Sequence, residues 1–119
     1  MLIRNFLKAP LREERIHEGK GLCRHCAVFL QQDFDTPVRF LNYTIIPPAG
    51  SFGPHPHGDD NEIYIILEGR GEYVENGCSA EVAEGDIIVN ARFAVHGIAN
   101  TGDAPMRVLV LEAYNGAPA

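Results

Sequence analysis

Long apolar runs, positive charge and paired cysteines are all scarce in this chain. Its apolar stretches are short, as at Ile63–Leu67 and Val108–Leu111. A membrane-crossing helix needs about 20 apolar residues, so no helical span is expected. Lys and Arg total 10 against 16 Asp and Glu, for a net charge of −6. Phosphate backbones are bound by clustered Lys and Arg, so nucleic acid is not an expected partner. The chain also lacks room for a helix-turn-helix with a basic recognition segment. The opening Met1-Leu2-Ile3-Arg4-Asn5-Phe6 has no long apolar core of a secretory signal. A soluble, cytoplasmic protein is expected.

Three cysteines, an odd number, do not suggest a disulfide framework. Cys23 and Cys26 form a C-x-x-C around His25, but no second such pair completes a tetrahedral zinc set. On a strand over residues 21–30, positions three apart face opposite sides, so the two thiols diverge. They read as reduced structural thiols, and Cys78 has no evident partner.

What is present points to β structure. At 119 residues and 45% hydrophobic, the chain can form one domain with its own core. Turn residues recur closely at Pro47–Gly50, Gly58–Asn61, Gly69–Gly71, Glu75–Gly77, Glu84–Asp86 and Asn100–Asp103. Between them lie strand-like segments: Arg39–Ile46, Glu62–Leu67, Glu72–Val74, Ile87–Val89, Val95–Ala99 and Met106–Tyr114. Many short, evenly spaced strands predict an all-β sandwich or barrel. Asn76-Gly77 predicts a two-residue hairpin. The charged segment Leu11–Glu18 is the best helix candidate, limited to one or two turns. The expected division is N-terminal strands and a connector over 1–37, then a barrel core over 38–115.

His55-Pro56-His57, with Glu62 following, is the densest chemistry in the chain. Two imidazoles and a carboxylate suit a borderline divalent metal. Strand alternation puts His55 and His57 on one face. With Gly58-Asp59-Asp60-Asn61 as a hairpin loop, His57 and Glu62 become direct cross-strand neighbours. Asp59 and Asp60 are candidate acceptors for imidazole N–H groups, although turn aspartates are more commonly solvated.

Further on, Gly85, His96 and Asn100 fall at a recognisable spacing. Together these segments resemble the two motifs of the cupin superfamily, G-x5-H-x-H-x3,4-E-x6-G and G-x5-P-x-G-x2-H-x3-N. The first runs through His55, His57 and Glu62 to Gly69; the second carries Gly85, His96 and Asn100. Three turn positions depart from the pattern: Ala49 and Phe93 replace glycines, and Ala91 replaces the proline. The resemblance, to small single-domain microbial cupins of the conserved-barrel type, implies a jelly-roll barrel, or double-stranded β-helix. It also implies that His55, His57, Glu62 and His96 hold one divalent metal. That donor set suits iron, manganese, nickel, zinc or copper.

By strand parity Tyr64 shares the face of Glu62, which makes it the nearest acid–base candidate. On Arg39–Ile46, either Arg39, Leu41, Tyr43 and Ile45 or Phe40, Asn42, Thr44 and Ile46 point inward. His17 and His25 lie outside both motifs and read as structural or surface residues. The expected function is a metal-dependent enzyme on a small organic molecule, since the family includes dioxygenases, isomerases, decarboxylases and cyclases. A non-catalytic ligand-binding or sensing module is the alternative, and a purely structural metal-bound barrel a third. The resemblance also implies a homodimer, with Met1–Leu7 able to add a strand to a partner.

Overall fold

The computed structural model describes residues 1–114. Ten strands build two antiparallel sheets: β1 (Arg12–Glu14), β2 (Cys23–Leu30), β3 (Val38–Ile46), β4 (Ser51–Pro56), β5 (Asp60–Glu68), β6 (Arg70–Glu75), β7 (Cys78–Ala83), β8 (Ile87–Asn90), β9 (Val95–Asn100) and β10 (Met106–Tyr114). One sheet has the order β1-β2-β3-β10-β5-β8 and the other β4-β9-β6-β7. This is the expected jelly roll. Among the described residues the only helical element is a 3-10 turn at Gln31–Asp33, and no helix is long and apolar enough to cross a membrane. The last residue of the expected barrel core, 115, lies outside the described residues.

Alternation sets the core. On β10, Met106, Val108, Val110 and Glu112 face inward; on β5, Asp60, Glu62, Tyr64 and Ile66 do. On β3 the inward set is Phe40, Asn42, Thr44 and Ile46, which resolves the parity left open by sequence. Tyr43, on the outer face, is nevertheless buried, because the N-terminal segment lays Phe6 against it with ring centroids 4.6 Å apart.

Two expectations fail. Leu11–Glu18 is not helical: Arg12–Glu14 forms an exposed edge strand paired with β2. Charged side chains on both faces suit an edge strand that must resist pairing with other chains. Nor do β4 and β5 form a hairpin. β4 pairs with β9, and β5 pairs with β10 and β8, so Gly58–Asn61 crosses from one sheet to the other. The Asn76-Gly77 hairpin does form, joining β6 to β7 with both residues at positive φ.

The departures from the glycine pattern keep its backbone. Ala49 and Phe93 both adopt φ 62. A left-handed conformation costs a residue with a Cβ about 1–2 kcal/mol. At Phe93 the turn is held by its N–H donating to the Gly58 carbonyl (2.9 Å), which ties the loop before His96 to the β4–β5 crossing.

Candidate metal centre

Because β4 and β5 belong to different sheets, the His55–Glu62 stretch supplies side chains from both walls of the barrel. His55 sits directly opposite His96 in the β4–β9 ladder. His57 follows β4 and is fixed by its N–H donating to the Ala94 carbonyl (3.0 Å). Glu62 reaches in from the facing sheet. One ligand atom from each of His55, His57, Glu62 and His96 lies within 4.8 Å of the other three. The structure brings together the four residues that the sequence pointed to, but not through the His57–Glu62 ladder expected there, because β4 and β5 do not pair.

Hydrogen bonds orient two imidazoles. His55 Nδ1 lies 2.9 Å from the Gly53 carbonyl. A carbonyl only accepts, so Nδ1 carries the proton and Nε2 is a bare lone pair. His57 Nδ1 faces the Asp60 carboxylate at 3.2 and 3.3 Å and Glu112 at 3.9 Å. That contact turns His57 Nε2 toward His55 and Glu62. These two Nε2 atoms are 2.9 Å apart. Glu62 Oε1 lies 3.4 Å from both His57 Nε2 and His96 Nε2. Lone pairs and a carboxylate converging this closely repel one another unless a cation stands among them. Two donors about 2.1 Å from one ion would be about 3.0 Å apart at a right angle and about 3.4 Å apart at a tetrahedral angle. The observed separations match that range. His96 is fully buried, and neither of its ring nitrogens has a hydrogen-bond partner. A buried polar atom left unpartnered is costly, and an ion would satisfy Nε2. The four residues fit a divalent metal.

The electrostatics agree. Burial, chiefly, lowers His55 to about 4, and burial together with the neighbouring imidazoles lowers His96 to about 3, so both are neutral donors at pH 7. Burial raises the Glu62 carboxyl above its usual value. Tyr64 is held well above the usual phenol by burial and by the Glu62 charge, so it stays protonated and acts as a hydrogen-bond donor rather than a base.

Other expectations divide. Asp60 is buried against His57, not solvated, and takes the acceptor role; Asp59 instead pairs with Arg92 at the surface (2.7 Å). Asn100 serves the fold, donating to the Ile46 and Ala104 carbonyls and accepting from the Gly102 N–H. Cys23 is buried and Cys26 half-buried, both are free thiols, and burial raises Cys23 to about 11. Two residues near the site escaped the sequence reading. Glu112 shares the inward parity of Met106, Val108 and Val110, and that alternation could have placed it. His17 stacks on His55 at 3.5 Å and 9° between planes. No local pattern marks that tertiary contact.

A jelly-roll barrel with three imidazoles and a carboxylate converging inside it defines a small-barrel class with a metal-competent centre. The chain belongs to the cupin family: the Cupin domain model matches residues 42–112. It is 28% identical over 111 residues to an oxalate-binding protein of Thermotoga maritima, covering 93% of this chain and 92% of that one. Among solved structures it resembles a predicted oxalate decarboxylase from Thermotoga maritima, with TM-score 0.91, 25% identity and coverage of 97% and 100%. The polyketide cyclase RemF of Streptomyces resistomycificus shares the fold, with TM-score 0.78, 22% identity and coverage of 99% and 82%.

Proposed function

We propose that His55, His57, Glu62 and His96 hold one divalent ion, and that the chain is a metal-dependent enzyme acting on a small organic acid. The observation that carries this reading is the convergence of three imidazole Nε2 atoms and the Glu62 carboxylate, with His55 and His57 Nε2 2.9 Å apart and Glu62 Oε1 3.4 Å from His57 and His96. The similarity to an oxalate-related protein of Thermotoga maritima supports a carboxylate ligand. A bound ion would supply Lewis acidity and open positions for the acid's oxygens. Asp60 and Glu112 would orient His57, and Tyr64 would be a hydrogen-bond donor beside Glu62.

The alternative reading is a non-catalytic binding or sensing module. It is favoured by the raised Tyr64, which keeps its proton and so supplies no base. One experiment separates the two. Metal-loaded protein is incubated with oxalate and short hydroxy- and oxo-acids, and the mixture is followed by NMR. New products support the enzyme; acids that bind and are recovered intact support the module.

Asp60→Asn should weaken metal binding by about 10–100-fold, because it loosens the acceptor that orients His57. Competition with a chromophoric chelator measures this, and unchanged affinity would remove Asp60 from the site.

We further propose a homodimer through the outer face of the larger sheet. Val89, Ile63, Leu111 and Leu41 form one cross-strand row there, and Ile87, Ile65, Leu109 and Tyr43 the next. Ile87 and Val89 are exposed, as are Met1, Leu2, Ile3 and Leu7 of the N-terminal segment. A contiguous apolar face of this kind suits a self-complementary contact. Ile63→Lys should convert a dimer to a monomer in sedimentation velocity; a wild-type monomer at high concentration would end the idea.

A further inference from the structure

The metal reading leaves a second space unexplained. Three of the four ligands, His55, His57 and Glu62, line a vestibule of about 390 Å³ together with Asp59, Asp60, Glu112 and Arg39. Beside it lies a smaller chamber of about 70 Å³ that shares His17, Phe40 and Glu62 with the vestibule. The chamber differs sharply in character. Phe52 and Val110 line it, with Asn42, Thr44, His25 and Tyr64 as polar groups, and no Lys or Arg reaches it.

Its polar groups have unused capacity. The Asn42 side-chain oxygen is buried without a partner. Thr44, almost fully buried, shares one hydrogen bond with His25 Nδ1 at 2.9 Å. A hydroxyl and a neutral imidazole bring two protons to that single bond. Either the Thr44 hydroxyl or the His25 Nε2–H is therefore left as a free donor. Asn42 and Tyr64 flank Val110 in one cross-strand row, immediately beyond the row of Phe40, Glu112 and Glu62. Thr44 lies one row deeper, opposite His25 of β2. The polar wall thus begins just past the metal ligands and deepens away from them.

Size and charge narrow the occupant. One water needs about 10–15 Å³ measured this way, so the chamber holds about five non-hydrogen atoms. A second acid group would lie in a chamber with no cationic side chain, and burying an unpaired charge is costly.

We propose that Asn42 and the Thr44–His25 pair anchor the far end of the organic ligand, whose carboxylate binds the metal, and that this ligand is a short monocarboxylic acid with an uncharged hydroxyl or carbonyl opposite its acid group. The inference rests on the metal reading and names the ligand class of that site.

The test compares 3-hydroxypropionate with propionate, which lacks only the distal hydroxyl. Both are titrated calorimetrically into manganese-loaded wild type and into Thr44→Val, Asn42→Leu and His25→Gln variants, with metal content and melting temperature measured on each. Wild type is expected to bind the hydroxy acid about tenfold more tightly, as for one hydrogen bond gained. Thr44→Val and Asn42→Leu should each erase most of that preference while leaving propionate affinity and metal content unchanged. His25→Gln, which keeps a hydrogen-bonding side chain beside Thr44, should retain part of it. If wild type takes up no metal, the metal reading itself fails. If metal is bound normally but wild type does not distinguish the two acids, or both Thr44→Val and Asn42→Leu distinguish them as wild type does, this inference alone is overturned.

Discussion

His96→Ala is expected to lower divalent-metal affinity by more than about a hundredfold, beyond the range for losing an orienting acceptor. The substitution deletes a donor from the start of β9, leaving Glu62 Oε1 with His57 Nε2 as its remaining imidazole neighbour at 3.4 Å. His55→Ala should lose a similar amount, because His55 and His96 face each other across one ladder position. Metal analysis of freshly purified protein, followed by chelator competition, reads both variants. Wild-type metal content in both would show that the four residues are not a joint ligand set. The metal-free His96→Ala protein should still fold, because the deleted ring satisfies no hydrogen bond of its own.

Acidification of the metal-free protein should cause a steep loss of stability between about pH 6.5 and pH 4. His55 and His96 have native values of about 4 and 3 against an ordinary value of 6.5. Above pH 6.5 both are neutral, folded or unfolded, and contribute no pH dependence. Below it the unfolded chain takes up protons that the native state refuses, so unfolding is favoured as pH falls. Each histidine adds a slope of up to about 1.4 kcal/mol per pH unit through that window. Glu62 acts the other way, since its raised native value makes the folded state the better proton binder. The two histidines outnumber it, so the net slope remains destabilising toward acid. Urea titrations at pH 7 and pH 5 measure the effect. Metal present at about a thousand times its dissociation constant should add about 4 kcal/mol at pH 7. A metal-free protein equally stable at both pH values would contradict the neutral, buried state of these rings.

The strands were legible because turn residues bracket β-branched runs, and the last one, Met106–Tyr114, is read to its ends. β7 escaped notice because Cys78–Ala83 buries only Val82 and so shows no apolar alternation. Leu11–Glu18 was misread because a charged run fits an exposed helix and an edge strand equally well. The four candidate ligands were visible through motif spacing, whereas the arrangement that joins them was not. Strand pairing is a choice among distant partners, and nothing in Gly58–Asn61 reveals that β4 will join β9. Asp60 and Glu112 lay within reach of simple parity. His17 did not, since its ring meets His55 only after the N-terminal segment folds over the barrel.

The crossing at Gly58–Asn61 gives the centre a mechanical meaning. His55, His57 and His96 belong to one wall and Glu62 to the other, so all four can converge only while the two walls are closed on each other. Metal affinity is then a gauge of how tightly the halves hold together. A substitution far from the centre that lets the walls breathe, in the core layer around Phe52 and Ile66, should loosen the ion without touching a ligand, and a bound ion should in turn act as a rivet that slows amide exchange in β4 and β5 together.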